Sequence, residues 1–296
     1  MRRQVRGRDL GYEDRGRGEA VVFLHAFPFA RDIWHGLGAD GDVTAALAAR
    51  FRVLSVDARG FGESDLRDRA KASEAGPSAP YALTDLADDL AALLDALAVE
   101  RAAVVGMSMG GYTALAFAAR HPARLAALVL ADTRAAADTP EVRAKRDEAL
   151  ATIQGRGPDA YLDGSLARLL SPRAAPPLLA HVRARAEPRA ESLVAGVKAL
   201  RDRPDRSAEL AAIACPALVV CGADDRVTPA AEMRSMTAAI GNGGRAAARR
   251  ARYVELAGAG HLCHLEAPQA FATAVGAFLA DALGGLGRSL GGGSAS

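Results

Sequence analysis

Cysteine, aromatic residues and long apolar runs are all scarce in this 296-residue sequence. The 3 cysteines, Cys215, Cys221 and Cys263, are too few for a disulfide framework and lack the spacing of metal ligands. The longest apolar runs, such as residues 125–131, are far too short to span a bilayer. The charged residues 1–6 are followed by no apolar segment, so they are not typical of a secretion signal. We therefore predict a reduced, cytoplasmic protein without a membrane partner or a metal.

The sequence also lacks a strong excess of one charge. It has 37 Lys and Arg residues against 35 Asp and Glu residues, and its basic residues are scattered among acidic ones. Nucleic-acid-binding proteins concentrate positive charge on one face, so this distribution argues against a nucleic-acid partner. Half of the residues are hydrophobic, which is enough for the core of one α/β domain with an insertion, or of two small domains.

Short apolar runs that favour strands alternate with patterns that favour helices. The predicted strands cover residues 5–13, 20–25, 51–56, 102–105, 125–131, 217–221 and 252–256. Alternation of this kind is typical of an α/β fold, a mostly parallel sheet with helices on both faces. Strand patterns are absent from residues 134–210, where segments rich in Ala, Leu and Arg predict helices.

The domain organisation follows from this gap between strands. A parallel sheet binds ligands at the carboxyl ends of its strands, and a long insertion there is expected to cover the site as a helical cap. We predict a core formed by residues 1–133 and 211–283 and a helical cap formed by residues 134–210. Residues 284–296 are rich in Gly and Ser and predict a disordered tail.

The segment Gly106-Met107-Ser108-Met109-Gly110 lies between a predicted strand and an Ala-rich predicted helix. A Gly-x-Ser-x-Gly motif in this context is typical of a nucleophile elbow, although the same letters also occur in ordinary glycine-rich turns. The sharp turn strains the serine backbone and leaves no room for side chains at the flanking positions. Ser108 is therefore the candidate nucleophile.

A serine hydroxyl becomes a good nucleophile when a base removes its proton and a third group holds that base. His261 follows Gly258-Ala259-Gly260 after the last predicted strand and is a better candidate base than His264. Three aspartates that follow strands are candidates for the third group, and their spacing leaves the choice open: Asp132, Asp224 and Asp225.

An acyl-transfer reaction also needs two donors for the developing oxyanion, commonly backbone N–H groups. We expect one from Met109, the residue after the nucleophile, and the other from Phe27 in the loop after an earlier strand. His25 and Pro28 are interpreted as shaping that loop. These assignments require no cofactor.

Four motifs follow one another along the chain: His25-Ala26-Phe27-Pro28, Asp57-x-Arg59-Gly60-x-Gly62-x-Ser64, Gly106-Met107-Ser108-Met109-Gly110-Gly111, and Gly222-x-x-Asp225 with Gly260-His261. With them the sequence resembles the α/β-hydrolase fold superfamily from about residue 5 to residue 283. The resemblance implies an eight-stranded sheet. It also implies Asp225 as the acid, because the family places Pro four residues later, where Pro229 stands. Ala26 departs from the family pattern, which often has Gly there.

Within the superfamily, the cap is similar to those of small serine esterases and 3-oxoadipate enol-lactone hydrolases. A Ser-His-Asp set favours acyl transfer, and we expect cleavage of a small carboxylic ester through an acyl-enzyme. The many Ala and Leu residues of the cap predict a modest apolar pocket for a short acyl group. The alternatives are an enol-lactone hydrolase, a cofactor-free haloperoxidase or perhydrolase, and a non-catalytic binding protein with this fold.

Overall fold

The computed structural model describes residues 1–68, 81–241 and 251–284. The predicted tail therefore lies outside the described residues from residue 285 onward. The eight strands are β1 Arg2–Val5, β2 Arg8–Arg15, β3 Ala20–Leu24, β4 Arg52–Val56, β5 Ala102–Met107, β6 Leu125–Ala131, β7 Ala217–Gly222 and β8 Arg252–Leu256. They form one sheet in the order β1-β2-β4-β3-β5-β6-β7-β8. Strands β3 to β8 run parallel to one another, and β2 pairs antiparallel with both β1 and β4. The predicted mostly parallel, eight-stranded sheet is thus confirmed.

The first strand prediction was wrong in one respect. Residues 5–13 were expected to form a single strand, but the chain forms a hairpin of β1 and β2 that turns at Arg6 and Gly7. Both turn residues have positive φ, 45° and 80°, which a glycine adopts easily. Strand β1 carries three exposed residues out of four, so it has no apolar pattern by which to be detected.

The helices are α1 Val43–Ala48, α2 Leu83–Ala96, α3 Met109–Arg120, α4 Pro140–Arg156, α5 Pro158–Ser165, α6 Pro176–Arg185, α7 Ala190–Arg201, α8 Ala230–Ala239, α9 Cys263–Glu266 and α10 Pro268–Gly284. Helices α1 and α10 cover one face of the sheet, and α2, α3 and α8 cover the other. Both faces of the central strands are therefore buried. Val21 and Phe23 of β3 join the first core, while Val22 and Leu24 join the second. Within the described parts of the chain, no helix combines the length and apolarity needed to cross a bilayer.

Helices α4 to α7 lie between β6 and β7 in the sequence. We call this segment, residues 134–210, the helical insertion. Helix α4 ends at Arg156, directly before Gly157. Helices α5 and α6 start at Pro158 and Pro176, where the missing N–H costs nothing because a first-turn N–H has no partner inside the helix. The division of the chain into a core and a separate cap domain stays a prediction.

The turn from β5 into α3 is as tight as the sequence predicted. Ser108 has φ 50° and ψ −111°, a backbone conformation that L-residues rarely adopt. A Cβ atom at Gly110 would lie 2.0 Å from the carbonyl oxygen of Leu24 in β3. At Gly106 it would lie 2.3 Å from the carbonyl oxygen of Gly110. These close approaches explain the two glycines of the motif and hold Ser108 at the carboxyl edge of the sheet.

We expect Gly110→Ala to lower the free energy of unfolding by at least about 3 kcal/mol, the upper end for overpacked cores, because its methyl group would meet a fixed backbone carbonyl. Gly155→Ala in α4 is the control, since a Cβ there meets nothing within 4 Å. It should be neutral or stabilise the protein by up to about 1 kcal/mol, the helix propensity difference. Urea denaturation measures both; equal stabilities of the two variants would contradict the packing argument.

Candidate active site

Three side chains from distant parts of the sequence form a hydrogen-bonded series at the carboxyl edge of the sheet. The Oγ atom of Ser108 lies 2.8 Å from Nε2 of His261. The Nδ1 atom of the same ring lies 2.9 Å from Oδ2 of Asp225. A carboxylate only accepts hydrogen bonds, so Nδ1 carries a proton and Nε2 is free to accept one from the serine hydroxyl. His261 and Asp225 are buried, whereas Ser108 is partly exposed.

Asp225 is held by the loop between β7 and α8. Its Oδ1 accepts hydrogen bonds from the backbone N–H groups of Val227, at 2.7 Å, and Thr228, at 3.0 Å. The hydroxyl of Thr228 donates to Oδ2 and also lies 3.3 Å from Nδ1 of His261. A buried carboxylate is stable only when donors replace its lost water, and these groups do so.

The loop that carries His261 is held by two other carboxylates. Glu266 in α9 accepts a hydrogen bond from the N–H of Gly260 at 2.8 Å. Asp132, which follows β6, accepts from the N–H of Gly222 at 2.8 Å and from the N–H of Cys263 at 3.4 Å. Asp132 therefore joins the end of β7 to the start of α9, two residues after His261.

Burial and charge act in opposite directions on the imidazole. Burial by itself lowers the pKa of His261, but the adjacent Asp225 carboxylate, by its charge and its hydrogen bond, raises that pKa above the ordinary value. Burial raises the pKa of Asp225, yet the imidazole and the Thr228 donors leave it below its ordinary value. For Asp132, burial and the nearby charge of Asp225 raise the pKa to about 7.

The other candidate acids have different partners. Asp224 accepts hydrogen bonds from the hydroxyl of Ser171, at 2.8 Å, and from the guanidinium of Arg173, at 2.7 Å. Asp132 is occupied by the two backbone donors described above. Of the three candidates, Asp225 is the one that forms a hydrogen bond with His261 among the residues that the structure describes.

His264, the second candidate base, is fully buried and forms a hydrogen bond within the protein interior. Its Nε2 lies 3.0 Å from the carbonyl oxygen of Ile33, and burial lowers its pKa to about 3. His25 is also buried: its Nε2 accepts from the N–H of Ala58 at 2.9 Å, and its Nδ1 lies 3.0 Å from the carbonyl oxygen of Ala26. These contacts support the interpretation that His25 shapes its loop.

Asp132, Cys221 and Asp225 bring three atoms of metal-ligand type within 4.8 Å of one another. All three residues are buried, but their oxygens already accept hydrogen bonds from protein donors. Burial and the two nearby carboxylates raise the pKa of the Cys221 thiol to about 12, so it is protonated at neutral pH. The cluster is therefore a hydrogen-bonded support of the site, and its donor set does not fit a metal centre.

The two expected oxyanion donors lie at the same edge of the sheet. Met109 is the first residue of α3, where the helix dipole favours negative charge. Phe27 follows β3 and borders the same cavity as Ser108. Neither amide has a backbone acceptor within the described ranges 1–68, 81–241 and 251–284.

A cavity of about 350 Å³ opens beside Ser108 and His261. Loops after β3, β6 and β7 and residues of the helical insertion line it. The lining is mixed. Apolar side chains such as Leu169 and Leu200 form part of it, in keeping with the predicted acyl pocket. Five basic residues that the sequence analysis did not predict line it as well: Arg134, Lys145, Arg146, Arg168 and Arg226.

A family model described as the α/β hydrolase fold matches residues 19–268 of the sequence. The chain belongs to the α/β-hydrolase fold family.

Three members of this family show how far the likeness extends. A thermophilic esterase structure from Thermogutta terrifontis, solved with malate bound, is 30% identical with a TM-score of 0.83, covering 95% of this chain and 99% of its own. The enol-lactonase structure from Burkholderia xenovorans LB400 is 30% identical with a TM-score of 0.79. The match covers 94% of this chain and 99% of the enol-lactonase chain. The Mycobacterium tuberculosis (strain CDC 1551 / Oshkosh) protein named "Putative non-heme bromoperoxidase BpoC" is 30% identical, covering 92% of this chain and 98% of its own.

Sequence reasoning missed Thr228 and the basic cavity lining of this α/β-hydrolase fold protein. Thr228 lies three residues after Asp225, a spacing at which a Ser or Thr often hydrogen-bonds an aspartate within a turn, so a local signal existed. The five basic residues are spread between positions 134 and 226 and come together only through folding.

We predict that Asp225→Asn lowers the pKa of His261, because burial then acts without the carboxylate that opposes it. In the wild type the pKa should lie above about 6.5, the value of an unperturbed imidazole. Titration of the His261 ring resonances by NMR measures both values. Asp224→Asn is the control, because Asp224 binds Arg173 and Ser171; an equal shift in both variants would contradict the assignment.

Proposed function

We propose that this protein is a metal-free serine hydrolase that cleaves small carboxylic esters through an acyl-enzyme. The observation that carries the proposal is the series Ser108–His261–Asp225, joined at 2.8 Å and 2.9 Å, whose first two members line a cavity of about 350 Å³. A hydroxyl, a neutral imidazole nitrogen and a buried carboxylate in this order activate a serine for attack on a carbonyl.

In the proposed reaction Ser108 Oγ attacks the ester carbonyl while Nε2 of His261 takes its proton. The tetrahedral intermediate collapses as the carbon–oxygen bond to the alcohol breaks and the imidazolium returns the proton to the leaving oxygen. Water then attacks the acyl-enzyme with His261 again as base, which releases the carboxylic acid and restores the serine. Asp225 keeps the ring in the required tautomer and stabilises the imidazolium.

The backbone N–H groups of Met109 and Phe27 are the proposed donors to the oxyanion. Donors fixed in advance stabilise charge that develops in the transition state, because they need no reorganisation during the reaction. Met109 has the additional field of α3 behind it. Asp132, which binds backbone groups around the imidazole, is proposed to position the base without taking part in proton transfer.

Hydrolysis of a lactone is the second candidate, because the same residues would open an intramolecular ester. The enol-lactonase from Burkholderia xenovorans LB400, at 30% identity over 94% of this chain, favours it. The esterase from Thermogutta terrifontis has the same sequence identity to this chain, 30%, and supports the ester reaction to the same degree. The two reactions differ in whether the alcohol leaves or stays attached to the acyl group.

We expect Ser108→Ala to abolish hydrolysis of 4-nitrophenyl acetate, because it removes the hydroxyl that hydrogen-bonds Nε2 of His261, the nitrogen that accepts the proton. Asp225→Asn should lower kcat by about 10⁴, the loss seen when the acid of a serine-protease triad becomes an amide. Asp132→Asn serves as the matched control and should cost far less. Equal losses in the two aspartate variants would mean that the acid is wrongly assigned.

A fluorophosphonate probe tests the nucleophile independently of any substrate. The wild type should gain one probe mass, located on the peptide that contains Ser108, and Ser108→Ala should gain none. Labelling on another residue, or none in the wild type, would contradict the proposal.

Activity should rise with pH as His261 loses its proton, because only the neutral ring can accept one from Ser108. Since the pKa of His261 is raised, we expect the midpoint of the kcat/KM profile above about 6.5, the ordinary imidazole value. Asp132 titrates in the same range, so the profile should also be measured for Asp132→Asn. A profile that falls with pH in both proteins would contradict the role of His261 as base.

Ester and lactone specificity is separated by the ratio of kcat/KM values for short-chain 4-nitrophenyl esters and for a panel of five- and six-membered lactones. We expect the esters to give the higher values. The opposite ratio would make lactones the substrate class, with the same catalytic residues.

A further inference from the structure

The cavity beside Ser108 has an unbalanced charge. Beside its apolar side chains, five basic residues line it (Arg134, Lys145, Arg146, Arg168 and Arg226), and among the described residues the one carboxylate in its lining is Asp138. This contrasts with the whole protein, in which 37 basic residues nearly balance 35 acidic ones. The positive charge is therefore a property of this place in the fold.

Asp138 does not neutralise the basic lining. It is buried and forms an ion pair of 2.7 Å with Arg203, which is not among the lining residues, and another of 3.2 Å with Arg146. Arg203 is itself buried and stacks on the ring of Tyr112, 4.3 Å from the centroid. One carboxylate thus serves two guanidinium groups, and this cluster keeps a net positive charge.

Of the remaining basic residues, Arg134 is paired: it forms an ion pair of 3.3 Å with Glu232 and donates to the carbonyl oxygen of Val227. Arg226 donates to the carbonyl oxygen of Leu170 at 3.4 Å and has no carboxylate partner among the described residues. Lys145 and Arg168 have neither a hydrogen bond nor an ion pair within the described part of the chain, and both are exposed to the cavity and solvent.

Like charges gathered around one cavity repel one another and are stabilised when an anion binds among them. A pocket for a neutral acyl chain needs no such charges and is usually lined by apolar side chains. Guanidinium and ammonium groups are the donors that proteins use for carboxylates. The charge of the cavity therefore points to a negatively charged ligand.

We propose that the substrate is an ester or lactone that carries an ionised carboxylate away from the scissile bond. The carboxylate binds the basic lining, chiefly Lys145 and Arg168, while the scissile carbonyl lies at Ser108. This inference rests on the proposed hydrolase function and narrows it to a substrate class. The cavity is shared by Ser108, His261 and the basic residues, so one small molecule can reach both.

The experiment compares substrates that differ only in charge. Monomethyl adipate is paired with its amide, methyl 6-amino-6-oxohexanoate, which places the charge in the acyl part. The second pair, 4-acetoxybutanoate and 4-acetoxybutanamide, places the charge in the alcohol part. Release of the products is followed by chromatography, and the charged-to-uncharged ratio of kcat/KM is calculated for each pair.

In the wild type, this ratio should exceed ten in at least one pair. It should fall as NaCl is raised to about 0.5 M, because salt screens exposed charges. In Lys145→Gln/Arg168→Gln the ratio should fall about tenfold, since a partly exposed ion pair contributes up to about fivefold per charge. Arg156→Gln is the matched control: it removes one positive charge from α4 outside the cavity lining and should leave the ratio unchanged.

The outcomes separate the two proposals. Hydrolysis of the uncharged esters with a ratio near one in both pairs would overturn the anionic substrate and leave the hydrolase intact. A high ratio that survives in Lys145→Gln/Arg168→Gln would overturn the assigned binding residues. Absence of hydrolysis for all four compounds, together with no fluorophosphonate labelling, would overturn the hydrolase function itself.

Discussion

The close approach of β3, β5 and α3 around Ser108 is the constraint on which the rest of the site depends. Gly110 lies so near the carbonyl of Leu24 that a Cβ atom would come within 2.0 Å of it. This contact forces the chain to reverse sharply, and Ser108 takes a positive φ of 50° as a result. A strained residue persists only where surrounding packing over-determines it, and here the fully buried central strands β3 and β5 do so. The hydroxyl is thereby held at the strand tips, at the start of a helix.

The second constraint is electrostatic, because a carboxylate is buried behind an imidazole. Asp225 is stable there because Val227, Thr228 and His261 supply donors to both of its oxygens. Its charge in turn raises the pKa of His261 against the effect of burial. The loops after β7 and β8 are therefore coupled through this hydrogen bond, and also through the backbone hydrogen bond from the N–H of Asp224 to the carbonyl oxygen of Ala259. The side chains of Asp132 and Glu266 accept hydrogen bonds from backbone N–H groups of the same loops. These bonds fix the position of the imidazole relative to Ser108.

The residues of the helical insertion contribute both to the protein core and to the cavity lining. Several of its apolar side chains, among them Leu162, Leu166 and Leu193, are buried in the protein core, and others, such as Leu169 and Leu200, line the cavity. Its basic side chains Lys145, Arg146 and Arg168 line the cavity beside Ser108. The chemistry of the cavity is therefore set by residues that composition alone would assign to an ordinary solvated surface. Family members with the same fold and the same three residues can differ in substrate through this lining, because function depends on the site rather than on the fold.

The alternation of strands and helices, the elbow around Ser108 and the glycine at position 110 were all predictable, because each follows from short-range patterns or from local sterics. The strand β1 was not, since its exposed arginines carry no apolar signal. Local spacing left Asp132, Asp224 and Asp225 open, and only the resemblance to a family favoured Asp225. The sequence by itself determined the sheet, the strained turn and the residue types at the strand tips, because these depend on neighbours along the chain. Only the tertiary structure decided which carboxylate meets His261 and that five scattered basic residues share one cavity, because such contacts join residues that are many positions apart.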